Sequence, residues 1–229
     1  MLFELHEFYW YSIPSVFIIE FIAYIWIFGA LDKYNLDFTL IRPIHKKNYV
    51  AVNIIKFVGL SSIVITFLYN YFFDYYTTYN LLANIGAVYT MLDVLALIVV
   101  KNMQINTIIH HIVVQFLYLI CFYYNFDLIY PIVGGIVIYT FFSSCSGIVN
   151  YFIALRVYNK KDEFMIKLSK ISYKIYGICC VLNWIFQIYF VMNMTTYIAI
   201  IYSLMLLMII NDDITLIKYL INYSKDKKE

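Results

Sequence analysis

Charge is scarce in this sequence. Asp, Glu, Lys and Arg make up 13% of its 229 residues, while hydrophobic residues make up 64%. Soluble domains carry about a quarter charged residues and under about half apolar ones. The deficit excludes a soluble globular enzyme, a disordered tail and a nucleic-acid-binding protein. Seven glycines and three prolines exclude collagen-like and low-complexity linker classes. Cysteine is also sparse. Cys121, Cys145, Cys179 and Cys180 all fall in apolar segments. None has zinc-ligand spacing, and no pair occupies a loop outside those segments, so they read as small core residues. The opening MLFELHEFYW contains Glu4 and Glu7 but no Lys or Arg. A cleavable signal needs a positive start, so the first apolar segment is expected to remain as an anchor.

What the sequence has instead is long apolar runs, with a mean hydropathy of +0.79. A spanning helix needs about 20 such residues. The runs predict about seven helices near 12–31, 50–73, 81–100, 105–124, 130–155, 171–192 and 197–219. They lack the two-residue alternation of strands, and backbone in lipid must bond to itself, which favours helices. The fold class expected is therefore all-α, a polytopic membrane bundle forming a single membrane domain over 1–229. The charged stretch Asn159–Lys170 is expected to form a short surface helix, and residues 224–229 a disordered tail.

The basic residues orient the bundle. Lys33, Arg42, Lys46, Lys47 and Lys56 lie before or early in the second span, and Lys101 lies between the third and fourth. Arg156, Lys160, Lys161, Lys167, Lys170 and Lys174 lie around the start of the sixth; Lys218, Lys225, Lys227 and Lys228 close the chain. These are all 16 Lys and Arg residues. Seven spans put every one on the same side, which the positive-inside rule makes cytosolic. The N-terminus is then outside or lumenal and the C-terminus cytosolic. Aromatics gather at the opposite ends, among them Trp10, Tyr75, Tyr76 and Tyr123, as interfacial anchoring favours.

Ionisable groups inside a span are costly, about 2.5–3.5 kcal/mol on insertion scales, and mark functional sites by default. Glu20, Asp93, His110, His111, Asp212 and Asp213 are such groups. Asp93 precedes Lys101 by eight residues, roughly 12 Å along a helix. Similar reckoning puts Asp93, His110, His111, Asn150, Asn211, Asp212 and Asp213 in the cytosolic half, where they predict a polar chamber open to the cytosol. Glu20 falls in the other half and is expected to stand apart. Adjacent histidines point about 100° apart, which suits a shared metal poorly, so no metal is expected. An imidazole beside an acid suits general-base or nucleophilic work on an acyl group. Two hydrogen-bonded polar residues inside a bundle are the other reading. The small run Ser143–Gly147 reads as close helix packing.

The segment MLDVLALIVVKNMQINTIIHHIVV, with Asp93 preceding and His110 and His111 following a short basic loop, resembles the core of the TLC-domain family. That family includes ceramide synthases and translocating-chain-associated membrane proteins. The run Ser143–Asn150 is similar to a family Glu-Leu-Ser-Thr-Pro-Phe-Leu-Asn element, with Asn150 on its Asn and Ser143 on its Glu. Asn211 resembles a family Asn near the end of the last span. The resemblance covers about 48–219. The His-Asp-x-x-Asp element of ceramide synthases has no counterpart at Tyr130–Tyr139, so the chain resembles the family outside that group. A fatty-acid elongase His-x-x-His-His box fails at Thr107.

The resemblance implies lipid metabolism or lipid handling in the endoplasmic reticulum. In its sharp form His110 or His111 activates or accepts an acyl group from acyl-CoA, with Asp93 orienting it and Asn150, Asn211, Asp212 and Asp213 around the lipid. No cofactor is implied beyond acyl-CoA as co-substrate. The partners implied are membrane lipids. A non-catalytic transporter, lipid sensor or cargo-binding protein is the other reading, so enzyme status stays open.

Overall fold

In the computed structural model, residues 2–73, 79–157, 159 and 162–225 are described. All the regular structure among them is helical: α1 (Leu2–Tyr34), α2 (Leu36–Thr39), α3 (Ile44–Phe72), α4 (Tyr79–Val99), α5 (Ile105–Tyr123), α6 (Pro131–Cys145), α7 (Ile148–Leu155), α8 (Glu163–Met192) and α9 (Thr196–Ser224). Six helices are long and apolar enough to cross a membrane, and a seventh crossing results if α6 and α7 form one span. The all-helical polytopic class expected from the apolar runs is what the fold shows.

Burial ranks the helices. In α4 the membrane-length window is 61% buried; in α1, from Ile13 onward, it is 6% buried. α4 is therefore the central helix, surrounded by α1, α3, α5 and α6, and α1 lies at the periphery. Its outward residues are large and apolar, including Ile18, Ile22 and Trp26. Ile65, Ile185, Ile188 and Leu204 continue this surface on α3, α8 and α9. An exterior this apolar suits contact with hydrocarbon rather than water. The main core lies between α3, α4, α5, α6 and α9, with Leu95, Val133 and Tyr202 fully enclosed. A second core joins α7, α8 and the end of α9 around Phe152, Met165 and Leu220.

Two expected elements differ. The fifth span is broken: α6 and α7 meet at a 43° bend. At the break, Ser146 N–H bonds to the Ser143 carbonyl and Gly147 N–H to that of Ser144, so three-residue turns replace the α-ladder. The Ser146 hydroxyl also caps the Ser143 carbonyl at 2.6 Å. A Cβ on Gly147 would lie 3.2 Å from both the Leu60 Cβ and the Ser144 oxygen, so the small run serves close approach to α3. The separate surface helix over Asn159–Lys170 is absent as such. α8 starts at Glu163 and continues unbroken into the span, because Asp162 accepts a bond from Met165 N–H at 2.8 Å and caps that end. Lys160 and Lys161 lie outside the described residues. Ser224, expected in a disordered tail, is the last residue of α9, and 226–229 lie outside the described residues. So do the anchors Tyr75 and Tyr76.

Candidate functional site

The site follows from helical geometry. Neighbouring residues of an α-helix diverge by about 100°. On α5, His111 therefore turns toward α3 and α4, and His110 toward α6 and α9. Their rings stand 5.6 Å apart and steeply inclined. Each meets a different carboxylate. His111 Nδ1 lies 3.0 Å from Asp93 Oδ1 on α4, and His110 Nδ1 lies 3.1 Å from Asp212 Oδ2 on α9. Neither Nδ1 is aligned for a hydrogen bond, so each of these is a close polar contact with a carboxylate.

The opposite ring nitrogens differ more. His111 Nε2 faces the Lys56 ammonium of α3 at 3.3 Å, and Lys56 also donates to Asp93 Oδ1 at 2.7 Å. Lys56, Asp93 and His111 are all buried. His110 Nε2 faces the Tyr139 hydroxyl of α6 at 3.0 Å. Tyr139 accepts from Tyr89 at 3.4 Å, and Tyr89 contacts the Ser143 hydroxyl at 2.6 Å. A hydroxyl chain thus leads from His110 to Ser143. Asp212 is held from its other oxygen by the Thr107 hydroxyl at 3.1 Å.

Both histidines line a cavity of about 510 Å³ together with Lys56, Asp93, Asn150 and Asp212. That volume is in the usual range for small-molecule sites, ~300–1,000 Å³. Its wall also includes Lys46, Lys101 and Arg156, which belong to the basic end of the bundle. Arg156 stacks over the Tyr219 ring at 4.5 Å and donates to the Tyr49 hydroxyl at 3.3 Å. A second cavity, apolar and only about 30 Å³, shares Tyr89 as a wall.

The predicted residues are thus only partly gathered. His110, His111, Asp93, Asn150 and Asp212 line one cavity. Asn211 does not: it is exposed on the outside of α9, because one residue of helix rotates it away from Asp212. Asp213 is buried off the cavity and accepts a 2.6 Å bond from Tyr176 of α8; Tyr176 stands in the wall instead. Glu20 does not line the cavity; it is buried on α1, and its oxygens make no hydrogen bond.

Three side chains that contact the histidines or Asp93, directly or through a hydroxyl, are not among the residues expected from sequence. Lys56 counted only as a topological marker, although it stands seven residues inside the predicted second span, a sufficient sign of a buried charge. Tyr139 and Tyr89 carried no signal, because this chain has 25 tyrosines. Among the described residues, no group of three or more His, Cys, Asp or Glu could hold a metal ion. Comparison with family models finds no match, and comparisons with curated proteins and with solved structures find none either.

Proposed function

We propose that this protein is a TLC-domain-like membrane protein of lipid metabolism that transfers an acyl group from acyl-CoA to a lipid acceptor. In this reading the basic end faces the cytosol, where acyl-CoA is made, and the membrane is that of the endoplasmic reticulum. The observation that carries the reading is His110 between Asp212 and Tyr139 on the wall of a cavity large enough for a ligand.

The chemistry needs one proton to move and return. His110 Nε2, freed from Tyr139, takes the proton of the acceptor hydroxyl or amine. The acceptor atom bonds to the acyl carbon, the carbon–sulfur bond breaks, and the CoA thiolate leaves with the proton from the imidazolium. Asp212, 3.1 Å from Nδ1, stabilises the imidazolium in between. The cations Lys46, Lys101 and Arg156 in the wall suit an anionic donor. General-base catalysis of this kind contributes about 10²–10⁴-fold. The test is CoA release with lipid products followed by mass spectrometry in membranes containing the protein. His110→Ala at equal expression is expected to lower turnover at least about 100-fold. Turnover that is equal in wild type, His110→Ala and His111→Ala, or absent from wild type across acceptor classes, refutes acyl transfer.

A second reading, lipid binding without chemistry, draws on Ser143. It stands where the family pattern has Glu and bonds a tyrosine instead of offering an acid. Transport across the bundle draws less support. Gln187 is bonded to the Gly135 carbonyl, Asn183 and Tyr202, and Gln115 donates to the Thr90 carbonyl. Those groups are used in closing the bundle, which leaves few to line a path.

A further inference from the structure

We infer that Lys56 is a positioning residue that locks His111 in one tautomer and withdraws it from chemistry, leaving His110 as the reacting imidazole of the pair. The inference rests on the proposed use of the histidines, and it concerns which one acts and why.

An ammonium only donates. Lys56 Nζ gives one proton to Asp93 Oδ1 at 2.7 Å and has His111 Nε2 at 3.3 Å. Nε2 can serve that contact only as an acceptor, so it carries no proton. The ring proton of neutral His111 is then on Nδ1, beside Asp93 Oδ1 at 3.0 Å. One cation and one anion, from α3 and α4, thus hold opposite ends of the same ring. Protonating or acylating Nε2 must expel the ammonium: a proton there would set two cations 3.3 Å apart inside a buried site. Lys56 is itself enclosed, so moving away from Nε2 means leaving a packed position.

His110 is under no such restraint. Its Nε2 faces a neutral hydroxyl at 3.0 Å, whose proton can turn away so that the oxygen accepts from a protonated Nε2. Its Nδ1 faces a carboxylate at 3.1 Å, so a positive ring is stabilised there rather than opposed. The groups facing the pair confirm the asymmetry element by element. Lys56 from α3 and Asp93 from α4 face His111. Tyr139 from α6 and Asp212 from α9 face His110. Two identical neighbours in sequence are therefore different in kind: one imidazole is part of an ion cluster, the other is available.

The test reads the imidazoles directly. Purified full-length protein in lipid nanodiscs is treated with diethylpyrocarbonate, which acylates unprotonated imidazole nitrogen, and labelling is followed residue by residue by mass spectrometry. His45, in the wall of the same cavity, serves as internal reference. In wild type, His110 is expected to label at least tenfold faster than His111. Lys56→Met should raise the His111 rate at least tenfold, while Lys56→Arg, which keeps the cation, should retain protection. In parallel, the ¹⁵N signals of labelled histidine should show His111 as one tautomer protonated at Nδ1, becoming mixed in Lys56→Met. If Lys56→Met does not fold, the wild-type rates and tautomer decide alone. Equal labelling of the two histidines in wild type overturns the inference. So does His111 protonated at Nε2, or a folded Lys56→Met protein in which His111 stays protected. Labelling needs no turnover, so the predicted pattern in a protein without acyl transfer removes the catalytic reading and leaves the lock standing. Turnover that survives His110→Ala but not His111→Ala removes the lock and leaves acyl transfer.

Discussion

At the scale of single residues, the Lys56–Asp93 pair sets the terms. Both side chains are about 10% exposed and meet at 2.7 Å. Removing one partner of a buried pair strands the other charge, which costs about 3–5 kcal/mol, whereas replacing both with apolar groups of similar volume is near neutral. Asp93→Leu is expected to lose about that much stability, and Lys56→Met with Asp93→Leu to recover most of it, measured by denaturant unfolding in detergent. Full loss in the double variant would mean that His111 or Glu20 depends on the pair more than the pair depends on itself. The residue types at the site were legible in sequence because a charge inside an apolar run stands out. Which charge met which was not: Asp93 reaches His111 and Asp212 reaches His110, a choice made by the rotation of α5 against α4 and α9.

At the scale of elements, close approach is set by a few small residues. On α6, a Cβ at Gly135 would lie 2.9 Å from the Tyr202 hydroxyl and 3.1 Å from Gln187 Oε1. Those atoms belong to the buried bonds that hold α6, α8 and α9 together. Gly135→Ala is expected to cost about 1–3 kcal/mol by overpacking, read as a lower thermal midpoint. An unchanged midpoint would show that the tyrosine can move without loss. At the start of α8, Asp162→Ala removes the bond to Met165 N–H and should cost about 0.5–2 kcal/mol, with faster amide hydrogen exchange confined to the first turn. Helix existence was legible from hydropathy, and most ends fell within a few residues. The α6–α7 bend and the unbroken α8 were not, because a bend depends on what α3 offers Gly147 and a cap depends on one side-chain bond.

At the scale of the whole molecule, the proposed orientation is open to direct measurement. In a background with the four cysteines replaced, single cysteines at positions 101 and 225 are expected to react with an impermeant reagent from the cytosolic side only. Cysteines at 127 and 195 should react only from the other side. Reaction of 101 and 127 from the same side would remove α5 as a span and with it the seven-span arrangement. Composition and the lengths of the apolar runs were enough to determine that the chain is an all-helical membrane-type bundle, because transfer of apolar surface from water is additive along a segment and needs no knowledge of its neighbours. The charged and imidazole groups inside those runs also declared themselves, since each is expensive where it stands. Only the tertiary structure decided that Lys56 meets both Asp93 and His111, that Asn211 turns outward and Asp213 away from the cavity, and that the two histidines have separate partners. Those outcomes depend on the rotation and spacing of helices distant in sequence, which one residue of phase, about 100°, is enough to change.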